Sequence, residues 1–233
     1  MRTRRLVLTT MAVALFAAGC SSGSGNAVTT ATTAAGTTTS AAPATTAGDT
    51  TTSGEASVEE QARAALLTPD EVGPGFTAGD WTPSDPSDPA PCGTPSVDAT
   101  VPAAVEVGTV MTLATTSQAL REEISVYDDE EGADTAFTTG TTGLDCPTGT
   151  VTFSDGTTAP LSIVAPVDVT NEVGGDQALA WQLQGGGIQG VLVAVKLSGI
   201  VVTFQFTAPA TATNLRPEPL AVAKAGMDKI RKS

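Results

Sequence analysis

The chain has 233 residues, and its 25 Asp and Glu outweigh 11 Lys and Arg for a net charge of −14, with no histidine anywhere. A chain of that sign repels phosphate backbones, which argues against nucleic-acid binding. Without His, the usual base of a Ser or Cys triad is missing as well.

Residues 1–19 read as a bacterial secretion signal. Arg2, Arg4 and Arg5 precede an apolar run from Leu6 to Gly19 that no charged residue interrupts. At 14 residues, that run is shorter than the ~20 a helix needs to span the hydrocarbon core. The following Ala17-Ala18-Gly19-Cys20 resembles a lipobox, although its first position, usually Leu, Val or Ile, is Ala17. Cleavage there makes a diacylated Cys20 the new N-terminus and a handle on the membrane, because two acyl chains anchor stably where one does not. The alternative is an ordinary cleavage site with an incidental cysteine.

Residues 21–54 are Thr, Ala, Ser and Gly with one charge, Asp49. Their composition offers too little apolar surface to offset ordering entropy and predicts a disordered tether of roughly 30 Å r.m.s. reach. Its 12 threonines are candidate glycosylation sites on composition alone. Residues 55–233 then suit one domain. That domain holds Cys92 and Cys146, which in an exported chain predict a disulfide. Two free thiols or a metal site are the alternatives, and two sulfurs without His do not complete a zinc shell.

Ser57-Val-Glu-Glu60 has capping-box spacing, and Val58, Ala62, Ala65 and Leu66 predict the inner face of a helix of about ten residues. Thr68 with Pro69 and Glu71 repeats that signature, and Gly73-Pro74 stops the second helix within a turn. Residues 80–103 carry six prolines and four Asp and read as a loop pinned at Cys92. Trp81 within it is either a lid over the core or a ligand platform.

Residues 105–114 and 119–128 look extended, with Ile124 and Val126 alternating against Glu123, Ser125 and Tyr127 as on a half-solvated strand. The acids at 128–131 admit a calcium reading, but their spacing to Gly132 does not fit an EF-hand loop. A helix N-cap at Asp128 or Asp129 suits them better, with Ala133, Ala136 and Phe137 inward and Gly140 as terminator.

Toward the C-terminus, the odd positions Val191, Val193, Val195 and Leu197 are apolar, set against a mixed row of Leu192, Ala194 and Lys196. Past Ser198-Gly199 the apolar parity shifts to Ile200, Val202, Phe204 and Phe206. A two-residue turn sets Leu197 opposite Ile200 and Val195 opposite Val202, one apolar face of a hairpin. Leu179, Trp181 and Leu183 predict a third antiparallel strand. Leu220, Ala223, Met227 and Ile230 supply a helix to cover that face. Sheet plus packed helices gives the α+β class, with a twisted antiparallel sheet of about five to seven strands.

No nucleophile elbow, phosphate loop, zincin motif or cofactor fingerprint occurs. Glu122 and Glu123 are adjacent but point to opposite faces of a strand, while a carboxylate pair assembled by the fold stays open as a hydrolase alternative.

Leu66–Phe76, a cysteine in a Pro-rich loop, Glu123–Phe137, a second cysteine, Gly174–Trp181 and the hairpin through Phe206 together resemble the extracellular sensor domain of some actinobacterial Ser/Thr protein kinases and free lipoproteins, over residues 60–231. The resemblance implies a twisted antiparallel sheet, helices around a cleft, disulfides, and a ligand rather than a substrate. Two domain cysteines stand here where the kinase sensors carry four, and the resemblance brings no catalytic residues. The function expected is a surface lipoprotein, membrane-anchored through Cys20, whose domain binds a small molecule or cell-envelope component. Trp81, Tyr127 and Trp181 are its candidate ligand contacts. A lipid carrier and a protein-interaction module are the alternatives, and the mixed second face of the hairpin (Leu192, Ala194, Lys196; Val201, Thr203, Gln205) speaks against the carrier.

Overall fold

The computed structural model describes residues 56–152 and 157–233. The secretion signal, Cys20 and the tether lie outside the described residues.

Helix α1 (Val58–Ala65) starts where the capping box places it: Ser57 Oγ accepts from the Glu60 N–H at 3.2 Å, and the Glu60 carboxylate accepts from the Ser57 N–H at 2.8 Å. The helix has eight residues rather than ten. Val58 is 53% exposed, because the first turn stands clear of the sheet and only Ala62 and Ala65 are buried in it. In α2 (Pro69–Val72) the Glu71 carboxylate accepts from both the N–H and the hydroxyl of Thr68, and Gly73 ends the helix.

Strand β1 (Thr77–Gly79) leads into the Pro-rich segment. There the expected plain loop contains one helical turn, α3 (Val97–Thr100), nucleated by Ser96 Oγ accepting from the Ala99 N–H. Strands β2 (Val105–Leu113) and β3 (Gln118–Val126) pair from Val105↔Val126 to Leu113↔Gln118. The half-solvated reading of β3 is corrected here. Leu120, Glu122 and Ile124 are buried on one face and Ser125 on the other, because helices seal the first face and the second is partly covered.

Asp129 caps α4 (Glu130–Thr142), accepting from the Gly132 N–H, with Ala133, Ala136 and Phe137 buried. Gly140 does not terminate it; the helix continues to Thr142. Beyond it come β4 (Thr148–Thr152), β5 (Thr158–Ile163), β6 (Val167–Asp168) and α5 (Thr170–Val173). Strands β7 (Gln177–Gly185), β8 (Ile188–Leu197) and β9 (Ile200–Pro209) follow, then α6 (Pro219–Ile230). The hairpin register is the expected one, Leu197↔Ile200 and Val195↔Val202.

All pairings are antiparallel, in the order β1-β2-β3-β9-β8-β7-β5-β4 with β6 beside β7. Nine strands exceed the five to seven expected. The additional ones are short or polar: β1 is exposed at all three residues, β6 has two residues, and β4 reads Thr-Gly-Thr-Val-Thr.

The sheet buries a different core on each face. On the first, Val193, Val195, Val202, Phe204 and Phe206 join Leu120 and Ile124 beneath α1, α2, α5 and α6. The stripe α6 buries most deeply is Val222, Ala223, Gly226 and Met227, with Leu220 and Ile230 flanking it. A Cβ at Gly226 would stand 2.6 Å from Phe204 Cζ, so only glycine lets the helix approach this closely. On the second face, Leu161, Ile163, Trp181 and Val201 pack with Ala133, Ala136 and Phe137 of α4. Among the described residues no helix is long and apolar enough to cross a membrane.

Candidate ligand-binding cleft

The second face is only partly covered, and the gap is the cleft. Alternation along antiparallel strands sends one residue in two to this side. Glu123, Ser125 and Tyr127 therefore arrive from β3 and its end, Thr203 and Gln205 from β9, Leu192 and Ala194 from β8, and Trp181 and Leu183 from β7. Helix α4 and the Pro-rich loop form the opposite wall, enclosing about 410 Å³. Five of the six residues on the hairpin's mixed second face line it. The sixth, Lys196, turns away to pair with Asp134 and Glu130 of α4, which leaves the floor more apolar than the bare sequence suggests.

The loop wall is held by covalent and hydrogen bonds. Cys92 and Cys146 are joined, the Cys92 N–H donates to Gly143 O at 3.1 Å, and the Thr150 N–H of β4 donates to Pro91 O at 2.9 Å. The disulfide thus ties the loop to the chain leaving α4, while Pro91 blunts the exposed edge of β4.

Tyr127 and Trp181, two of the three expected contacts, line the cleft. Trp181 is 1% exposed and its indole N–H has no partner. Burial, and then the negative charge of Asp98, push the Tyr127 phenol up to about 12, so it remains a neutral hydroxyl. Trp81 is outside the lining. It lies on Gly108 of β2, where any Cβ would overlap the indole ring, and the Arg121 guanidinium sits 5.6 Å from its ring centroid. Arg121 also donates to Thr82 O at 3.0 Å and to Glu123 Oε2 at 2.8 Å. Trp81 and Arg121 together brace the start of the loop.

The residue types missed in the sequence are carboxylates. Asp98 of α3 and Glu123 line the cleft; Glu106 of β2 lies opposite Ser125 in register, on the same sheet face. Burial pushes Glu106 up to about 7, and the charges of Glu123 and Asp98 add to that against the opposing pull of Arg121. Asp98 is raised too, again by burial first. Three acids thus share one guanidinium. Glu122 and Glu123 do face opposite ways: Glu122 Oε2 accepts from the Leu67 N–H at 2.8 Å in the other core.

No protein-family model and no curated protein matches the chain. Among solved structures, the extracellular domain of PknH from Mycobacterium tuberculosis is similar in fold. The TM-score is 0.56 at 15% identity, over 77% of this chain and 99% of that one. The likeness is one of fold, and the fold is the one the resemblance to kinase sensor domains implies.

Proposed function

We propose that the chain is an exported, lipid-anchored protein whose domain binds a small molecule or cell-envelope component in this cleft without transforming it. The observation that carries the reading is the cavity itself. Its volume of about 410 Å³ falls in the range of small-molecule sites, roughly 300–1,000 Å³, and like them it combines an apolar floor with a few convergent polar groups. The fold shared with a domain described as extracellular, the signal-like residues 1–19 and Cys20 support the location.

A second reading has one observation in its favour. A carboxyl raised to about 7 beside carboxylates is what acid-assisted hydrolysis needs. Against it, Glu106, the proton donor in such a scheme, is not part of the cavity lining, and Glu123 is held by Arg121. Binding is therefore the reading we adopt.

The test uses the neutral fluorescent dye N-phenyl-1-naphthylamine and a Thr203→Trp variant, which fills the cleft from a partly exposed strand position. The expected result is dye binding to the native protein, weakened tenfold or more in the variant, with thermal unfolding of the two proteins alike. Equal binding by both would place the dye elsewhere and remove the support for a cleft.

A further inference from the structure

The acids and the unpaired indole mark opposite needs at the same cavity. Asp98 and Glu123 are in its lining, Glu106 lies beside them on β2, and among the described residues Arg121 is the one cation acting on all three. One buried Glu106 oxygen has no partner. Two further acids, Asp85 and Asp88, lie in the lining contributed by the Pro-rich loop. In the floor, the Trp181 indole N–H has no partner and is closed to solvent, so an incoming molecule reaches it only as the side chain shifts. A buried unpaired donor is unfavourable unless a partner arrives.

Building on the reading of the cavity as a ligand site, we propose that its ligand is an organic ammonium. Such a ligand has an apolar or aromatic body over the floor, a protonated amine between Asp98 and Glu123, and a hydroxyl or carbonyl oxygen that accepts from Trp181. Each part answers a separate feature. An amine relieves the repulsion among acids that outnumber their cation, the body covers Leu192, Ala194 and Val201, and the oxygen satisfies the indole. An anionic ligand would meet the acids unaided, and a purely apolar one would leave the indole unpaired and the carboxylates desolvated.

Tyramine, which carries all three parts, and N-acetyltyramine, which lacks only the charge, provide the test. Isothermal titration at pH 7.5 is expected to show tyramine binding about tenfold or more tighter than its acetylated form. Added salt should weaken the first and leave the second nearly unchanged. Asp98→Asn with Glu106→Gln, which leaves the Arg121–Glu123 pair in place and relieves like-charge repulsion, should remove the preference without lowering the thermal midpoint. Equal binding of both compounds, binding of neither, or an undiminished preference in the double variant would overturn the ammonium assignment. If the neutral dye still responds to Thr203→Trp in that event, the cleft stands and only the ligand class falls; if it does not, both fall together.

Discussion

Replacing Glu122 with Gln should make the protein less sensitive to alkali. Glu122 is completely buried beneath α6, where Oε2 accepts from the Leu67 N–H at the junction of α1 and α2 while Oε1 has no partner. Burial raises its carboxyl from 4.5 to about 7, against the smaller opposing effects of the Leu67 N–H and Lys229. Below pH 4.5 the group is protonated in both folded and unfolded chains and has no pH-dependent effect. From there to about pH 7 the unfolded chain ionises and the folded one does not, so stability falls as pH rises; above pH 7 the full penalty, about 3 kcal/mol, is present. Gln keeps the acceptor for Leu67 and cannot ionise. Urea unfolding followed by circular dichroism at pH 4 and pH 8 should therefore show Glu122→Gln gaining about 3 kcal/mol on the native protein across that interval. Other titrating groups are common to both proteins and cancel in the comparison. A gap between the two proteins that stays constant to within about 0.5 kcal/mol would refute the assignment of a neutral acid in the core.

Three further outcomes are expected. Reducing the Cys92–Cys146 bond, or replacing both cysteines with Ser, opens a loop whose ends are 54 residues apart and should lower stability by about 4 kcal/mol in chemical denaturation. Gly108→Ala places a methyl where Trp81 lies; tryptophan fluorescence should report a more solvated indole, with a loss of about 1–3 kcal/mol from the displaced ring and its Arg121 partner. Cys20→Ala should abolish incorporation of a fatty-acid label and release the protein from the membrane fraction, and an unlabelled native protein would refute the lipid anchor.

The elements legible in the sequence are those whose local signals agree with their tertiary setting. Ser57 and Glu60 fix the start of α1 without help from the rest of the chain. The parity change at Ser198-Gly199 fixes both the turn and the face of the β8–β9 hairpin. Where tertiary contacts override local pattern, the sequence misleads. Gly140 looks like a stop, yet the segment stays helical to Thr142 because Ala133, Ala136 and Phe137 hold it to the sheet. Glu122 sits in an apolar row with no local partner in the sequence, and a backbone N–H fifty-five positions away in the chain provides for it. Strands β1, β4 and β6 lack apolar alternation because their neighbours, not their own burial, keep them extended.

The site was legible in its aromatic part and hidden in its charged part, for a reason rooted in the sheet. Tyr127 and Trp181 are large and lie on or beside strands, so the parity that builds one core on one face must deliver them to the other. Asp98, Glu106 and Glu123 become neighbours only through the β2–β3 register and the loop that the disulfide holds over it. Trp81 belongs to that same assembly: it seats Arg121, and Arg121 ties Glu123 to the loop through Thr82. A residue outside the cavity thereby fixes how much negative charge remains uncompensated inside it. The two faces of the sheet consequently differ in role. The first, sealed by four helices, tolerates one buried acid whose carboxyl burial pushes up to about 7. The second, covered by α4 and a bridged loop, leaves a cavity with acids in its lining and an unpaired indole buried in its floor.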